Sequence, residues 1–360
     1  MTLPRPRPDL GTLEGYHSPQ LDVAVRLNTN ESPYAPPAGF VDAWLAAIRD
    51  LPLNRYPDRH AGPLRAALGA RLGQPADRVF CANGSNEVLQ TLLLAYGGPG
   101  RRVLVFEPTY ALHAHIARIT GTEVIEAERS ADFLVSPTEA GLVIAADRPA
   151  VVFLCSPNNP TGTVEPRATV ESLLTAVVDH GQGLLVVDEA YGEFAGWSAV
   201  DLVADDVPLV VARTYSKVWS MAALRLGFAV GPAPVVEQLD DVVLPYHLAA
   251  TTQLAGLEAL AFDTEMRARV DALISERHRL SSALTRLPDL TVYPSGANFV
   301  LVRVDGDAHE LWQRLVDRGV LVRDFSFTPR LEGCLRITVG TPTEDDALLD
   351  ALRESLEEAA

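Results

Sequence analysis

A single lysine, Lys217, stands among 29 arginines in the 360 residues. At a solvated surface either cation serves, but arginine stays protonated, so chemistry that needs a deprotonatable primary amine requires lysine. Such an amine condenses with carbonyl compounds and carries protons to and from carbon. Around it lie groups that suit the same chemistry. Thr214 and Ser216 precede the lysine in RTYSKVWSMAALRLGF, and Arg225 follows it by eight residues. Further upstream stand Asp188 and Tyr191 in VVDEAY, Asn159 in SPNNPTG, and Gly84, Ser85 and Asn86 in CANGSNE. Each has a plainer reading as well. Asp188 suits a strand-end cap, and Asn159 with Gly162 suits a turn around Pro160.

Each of these motifs follows an apolar run or opens a helical pattern. Strands are expected at 102–106, 123–126, 150–155, 183–187, 209–212 and 228–230, with helices at 87–96, 111–120 and 168–180. That alternation predicts an α/β fold, with a large domain over 46–250 whose mostly parallel sheet is flanked by helices on both faces. The unbroken runs VVFL and LLVV fit strands buried on both sides. In such a sheet ligands bind beyond the carboxyl ends of the strands, where SPNNPTG, DEAYGEF and TYSK fall. After residue 250 the pattern changes to helices at 251–262 and 264–287, the segment YPSGANFVLVRV, a helix at 309–318, then GVLVRDF and CLRITVG. A last helix over 344–358 has Thr341 or Thr343 as its cap. These elements predict a smaller α+β domain over 251–360, completed by residues 1–45 as an N-terminal arm.

Composition narrows the field. With a net charge of −17 and no basic run, nucleic acid is excluded as the expected partner. No apolar stretch approaches the roughly 18 residues that would span a bilayer, and MTLPRPRPDL lacks the apolar core of a signal peptide, so a cytoplasmic protein is expected. Cys81, Cys155 and Cys334 are far apart and form no CxxC, and the eight histidines show no HxxxH or HExxH, so no metal site is expected. No GxGxxG follows an early strand, against a nucleotide-dependent dehydrogenase.

The cofactor whose chemistry needs this set of residues is pyridoxal 5′-phosphate. Its aldehyde takes a lysine amine, its pyridine nitrogen needs a carboxylate to keep it protonated, and its phosphate needs an arginine, hydroxyls and a helix N-terminus. Lys217 supplies the amine, Asp188 the carboxylate, and Thr214, Ser216, Arg225 and the Gly84-Ser85-Asn86 turn the phosphate cup. The segments SPNNPTG, VVDEAY, RTYSKVWSMAALRLGF and LRITVGT resemble fold-type I pyridoxal-phosphate aminotransferases, and within them the histidinol-phosphate aminotransferase family. The match extends from LNTNESPYAPP through RYPDRH, NGSNE and EPTY to VRDF and GCLRITVGTP. The resemblance implies that Tyr110 stacks on the pyridine ring, that Asn159 and Tyr191 bond its phenolic oxygen, and that Tyr56 reaches the cofactor phosphate of a neighbouring subunit in a homodimer. It also implies that Lys217 shuttles the proton of the substrate α-carbon.

Two arginines bear on the substrate. Arg336 alternates with Leu335 and Ile337 in LRITV, and Arg323 lies thirteen residues earlier in VLVRDF, so pairing of the two strands would bring both guanidiniums to one site. One arginine suffices for a carboxylate, whereas two suit a phosphate dianion. This pair resembles the phosphate-binding arginines of the family, and Tyr16, Tyr110 and Tyr246 are expected to wall a flat side chain. The plainer reading of Arg323, an ion pair with a surface acid, stands behind the functional one. The resemblance implies an amino donor and a 2-oxo acid acceptor as substrates. The expected reaction is transfer of the amino group of L-histidinol phosphate to 2-oxoglutarate in histidine biosynthesis; the alternatives are an aromatic amino-acid aminotransferase and, after it, a phosphothreonine decarboxylase. Ser32, where the family often has asparagine, leaves the side-chain preference open. A regulator built on the same fold is disfavoured, because no DNA-binding segment fits before residue 25.

Overall fold

In the computed structural model, which describes residues 7, 10, 15, 19–180 and 183–358, two sheets divide the strands between them. Strand β1 (Val25–Leu27) joins a five-stranded sheet otherwise made by the end of the chain. The seven-stranded sheet comprises β2 (Val79–Ala82), β3 (Arg102–Glu107), β4 (Glu123–Glu128), β5 (Val151–Cys155), β6 (Leu184–Asp188), β7 (Leu209–Thr214) and β8 (Gly227–Val230). Its order is β2-β8-β7-β6-β5-β3-β4, parallel throughout except that β8 runs antiparallel to both β2 and β7. The expected α/β architecture is therefore present. Strand β2 lies outside the expected strands.

Both faces of this sheet are covered, as its unbroken apolar runs require. Along β5, Val151 and Phe153 join the core beneath α3 (Gly84–Tyr96), α4 (Leu112–Ile119) and α7 (Ala233–Val242). Val152 and Leu154 face the other way, into the core shared with α2 (Gly62–Leu72), α5 (Pro137–Asp147), α6 (Arg167–His180) and α8 (Ala250–Ala259). Each such Val or Leu, sealed from water, is worth roughly 1.5–3 kcal/mol, which holds the strand ends in register for the loops that follow.

The second sheet has the order β1-β11-β12-β10-β9, with β9 (Leu290–Val292), β10 (Phe299–Val304), β11 (Val320–Asp324) and β12 (Cys334–Thr338). β1 lies parallel to β11, so the N-terminal segment completes this sheet as expected. Helices α9 (Asp263–Leu284), α10 (Ala308–Asp317) and α11 (Pro342–Glu357) accompany it. Thr341 caps α11 through a reciprocal capping box with Glu344, which decides between the two threonines expected there. The helix α8 lies after residue 250 but packs on the large-sheet side, against α2 and against α1 (Phe40–Arg49).

Candidate active site

The carboxyl ends of β5, β6 and β7 deliver their loops to one cavity of about 400 Å³. It is lined by Lys217, Asp188, Asn159, Tyr191, Tyr110, Thr214, Ser216, Arg225, Ser85, Asn86 and Arg336, together with Thr29, Asn30 and Glu31 from the segment after β1. Seven separate stretches thus converge: five follow strands of the large sheet that end on one edge, and residues 29–31 and Arg336 come from the small sheet.

Lys217 is half-buried, and its Nζ donates to the carbonyl of Thr29 at 2.9 Å. Burial, reinforced by the charges of Arg336 and Arg225, lowers its pKa from 10.5 to about 7. Near neutral pH a large fraction of the amine is therefore unprotonated, the form a nucleophile or base requires.

Asp188 is the last residue of β6 and is sealed in the floor of the cavity. Its Oδ2 lies 3.0 Å from Nε2 of His113, and its Oδ1 accepts from the amide of Ala190 at 3.1 Å. An ionised carboxylate only accepts hydrogen bonds, so Nε2 carries the proton. His113 sits on α4 three residues after Tyr110, stacks on Phe153 at 4.8 Å and is closed to solvent. The sequence reading did not select it. Its only signal was its place three residues after Tyr110, just inside the helix that follows.

Opposite the carboxylate is a cup built for an anion. Thr214 donates to Ser216 Oγ at 3.0 Å and Arg225 Nη1 donates to the same oxygen at 3.3 Å, which leaves the serine proton to be given elsewhere. The N-terminus of α3 opens at Gly84, where a Cβ would come within 2.6 Å of Arg225 Nη2. A Cβ on Gly227 would come within 2.2 Å of the Ser85 nitrogen. Both glycines thus let backbone N–H groups and a guanidinium crowd into one concavity, as a phosphate requires. The donor set, a buried carboxylate on one side and this cup on the other, fits pyridoxal 5′-phosphate.

Two further groups orient the wall. Tyr191 is buried, which pushes its phenol pKa up, and its oxygen accepts from Asn30 Nδ2 at 2.9 Å. Asn30 is also bonded to Thr338 of β12 through both its amide nitrogen and its side chain. Asn28 contributes its carbonyl, which accepts from Arg336 Nη2 at 2.7 Å, while Nη1 donates to Asn159 Oδ1 at 2.5 Å. The asparagines of LNTNE were read as part of a resemblance but not as site residues. Only the folded chain shows that they join the small sheet to the cavity.

Arg323 and Arg336 are directly opposite one another on the antiparallel strands β11 and β12, as the pairing argument anticipated. Arg323 does not line the main cavity. It lines an adjoining one of about 360 Å³, which shares Tyr110, Asn159 and Arg336 with the first. Tyr110 donates to Asn86 Oδ1 at 3.2 Å and meets His113 edge-on. Tyr56 and Tyr246 are not brought to either cavity of their own chain. They stack on each other at 4.5 Å, with Tyr56 80% exposed and Tyr246 44%, so the expected aromatic wall does not include Tyr246 within a single chain. Tyr16 lies outside the described residues. Among the described residues no group of His, Cys, Asp or Glu is arranged to hold a metal, and no helix is long and apolar enough to cross a membrane.

Comparison with known proteins gives a consistent family. Residues 23–352 match the family model described as aminotransferase class I and II. The chain is 46% identical over 361 residues to a histidinol-phosphate aminotransferase of Frankia casuarinae, covering 97% of this chain and 90% of that one. It is 44% identical to one of Mycolicibacterium smegmatis over 93% of this chain and 89% of that one. A crystal structure of histidinol-phosphate aminotransferase from Sinorhizobium meliloti, in complex with pyridoxal-5′-phosphate, superposes with a TM-score of 0.91 at 23% identity, covering 100% of this chain and 99% of that one.

Proposed function

The chain belongs to the aminotransferase class I and II family, and from that premise we propose that it transfers the amino group of L-histidinol phosphate to 2-oxoglutarate, giving imidazole-acetol phosphate and glutamate. The step belongs to histidine biosynthesis, as a homodimeric, cytoplasmic enzyme. The observation that supports the choice of substrate is the pair Arg323 and Arg336, set opposite each other at a cavity that shares Tyr110, Asn159 and Arg336 with the one holding Lys217. Two guanidiniums on adjacent strands suit a dianion with several acceptor oxygens, which a phosphate monoester is and a phenyl ring is not.

Bound pyridoxal phosphate supplies an aldehyde for amine exchange and a protonated ring that withdraws electrons from the substrate α-carbon. Asp188, braced by His113, holds the proton on the ring nitrogen, because the buried carboxylate is stabilised by a cation facing it. Tyr191 keeps its proton and would donate a hydrogen bond to the ring oxygen, beside Asn159. Thr214, Ser216, Arg225 and the amides at Gly84 to Asn86 would hold the cofactor phosphate. Tyr110, which lines the cavity, would cover the ring. Lys217, with its pKa near 7, would act as a neutral amine that carries the proton between the substrate α-carbon and the cofactor C4′ carbon. Arg323 and Arg336 grip the substrate phosphate. In the second half-reaction Arg336 takes a carboxylate of the 2-oxo acid. The exposed stack of Tyr56 on Tyr246, with Leu53 81% and Leu244 77% exposed, supports a partner subunit here, into whose site Tyr56 reaches.

The test is kcat/KM with 2-oxoglutarate as acceptor, comparing L-histidinol phosphate with L-phenylalanine. A preference for histidinol phosphate of at least a hundredfold is expected. A preference for phenylalanine overturns the reading.

A further inference from the structure

The two arginines share more than a strand pairing. On an antiparallel pair, residues directly opposite point to the same face, and diagonal neighbours two positions along are still within reach of an aromatic ring. Arg323 and Arg336 are opposite, so Phe325, two residues after Arg323, is on that same face. The ladder continues past β11, since the amide of Phe325 donates to the carbonyl of Cys334 at 3.0 Å. The ring of Phe325 then lies 5.4 Å from the Arg336 guanidinium carbon and 5.7 Å from that of Arg323. On the other side of β12, Phe299 of β10 approaches Arg336 at 5.3 Å. One ring therefore meets two cations, and one cation lies between two rings.

We propose that Phe325 is a specificity-determining positioning residue, whose ring holds Arg323 beside Arg336 so that both can close on one phosphate. Like charges on directly opposed residues of a strand pair repel. The negative face of an aromatic ring offsets part of that repulsion and fixes where each guanidinium lies. Arg336 does not depend on Phe325 alone. Arg336 is held independently by Asn159, by the carbonyl of Asn28 and by Phe299, and is only 5% exposed. Removing the Phe325 ring leaves those three anchors of Arg336 in place and takes away the ring that both guanidiniums share. The loss therefore falls on a ligand that needs both arginines and spares a carboxylate that needs Arg336 alone.

This inference rests on the reading of Arg323 and Arg336 as a phosphate grip, and the experiment separates the two. The wild-type holoenzyme is first assayed with L-histidinol phosphate and with inorganic phosphate as competitive inhibitor. If neither KM nor inhibition responds to Arg323→Met, the grip itself is wrong. Given a response, Phe325→Met, which keeps the volume and removes the ring, is expected to raise the KM for histidinol phosphate and the inhibition constant for phosphate about tenfold. The KM for 2-oxoglutarate should move less than threefold and kcat little. Phe325→Tyr, which keeps the ring, should stay near wild type on all four. Equal rises for histidinol phosphate and 2-oxoglutarate in Phe325→Met overturn the proposal, because a general packing defect does that. So does an unchanged KM for histidinol phosphate. If Phe325→Met does not fold, Phe325→Leu carries the same comparison.

Discussion

His113 Nε2 lies 3.0 Å from Asp188 Oδ2, and neither side chain is open to solvent. A buried carboxylate at the end of an apolar strand is costly unless a donor or cation answers it. Here the imidazole does so from the adjacent helix, and its Nδ1 has no hydrogen-bond partner among the described residues. Replacing it by phenylalanine keeps the stack on Phe153 and removes the donor. His113→Phe is expected to lose about 1–3 kcal/mol of stability, the cost of an unsatisfied buried acceptor. It should also lower kcat at least tenfold with little change in the KM for 2-oxoglutarate. His113→Gln, whose amide still donates, should recover part of kcat. Steady-state kinetics with urea unfolding checks both, and an unchanged kcat in His113→Phe refutes the positioning role.

The lowered pKa of Lys217 has a consequence for stability. Its folded value, about 7, lies below the ordinary 10.5 of a solvated lysine. Between those values the unfolded chain binds more protons than the folded one, so stability rises with pH across that window. The penalty is fully present below about pH 7 and vanishes above about pH 10.5. In cofactor-free protein, Lys217→Met should therefore be more stable than wild type at pH 6, with the advantage shrinking steadily towards pH 9.5. Urea midpoints across that range decide it. An advantage that grows with pH contradicts the assignment.

The two glycines at the anion cup should fail differently. Gly84 has φ +78°, and an added Cβ meets only the mobile end of Arg225. Gly84→Ala is expected to cost about 1 kcal/mol in stability from the left-handed backbone, and to weaken cofactor binding tenfold or more by displacing that guanidinium. At Gly227 the added Cβ meets the backbone of Gly84 and Ser85, which cannot step aside. Gly227→Ala should therefore lose several kcal/mol of stability before any binding effect is measurable, an amount on the scale of overpacked cores. Thermal unfolding with cofactor titration separates the two outcomes.

A homodimer in which Tyr56 serves the neighbouring site predicts complementation. Lys217→Ala and Tyr56→Ala, each inactive or weak at limiting cofactor, should regain activity when co-refolded. One site of each hybrid then has an intact lysine and an intact tyrosine. With random pairing about a quarter of wild-type activity is expected from the symmetry of the dimer. No gain on mixing means that each chain builds its site alone.

Much of the site was readable along the chain because its parts are short-range. Thr214, Ser216, Lys217 and Arg225 lie within twelve residues of one another, and Asp188 and Asn159 follow apolar runs that end where ligands bind. Partners that meet across long separations were not readable. The pairs His113 with Asp188, Asn30 with Tyr191 and Tyr56 with Tyr246 are 75, 161 and 190 residues apart. None has a local pattern that singles it out.

The sequence by itself determined which groups this protein has for chemistry: one amine, a carboxylate at a strand end, a hydroxyl-rich turn, and two arginines on alternating strands. It could do so because residue type sets protonation and donor capacity whatever the fold. Only the tertiary structure decided how those groups act. The amine becomes partly neutral because its surroundings exclude water and hold Arg225 and Arg336 nearby. The carboxylate is held ready because α4 places an imidazole against it. The two arginines face one cavity because β11 and β12 pair in one register, and a slip of a single residue would turn Arg323 to the opposite face.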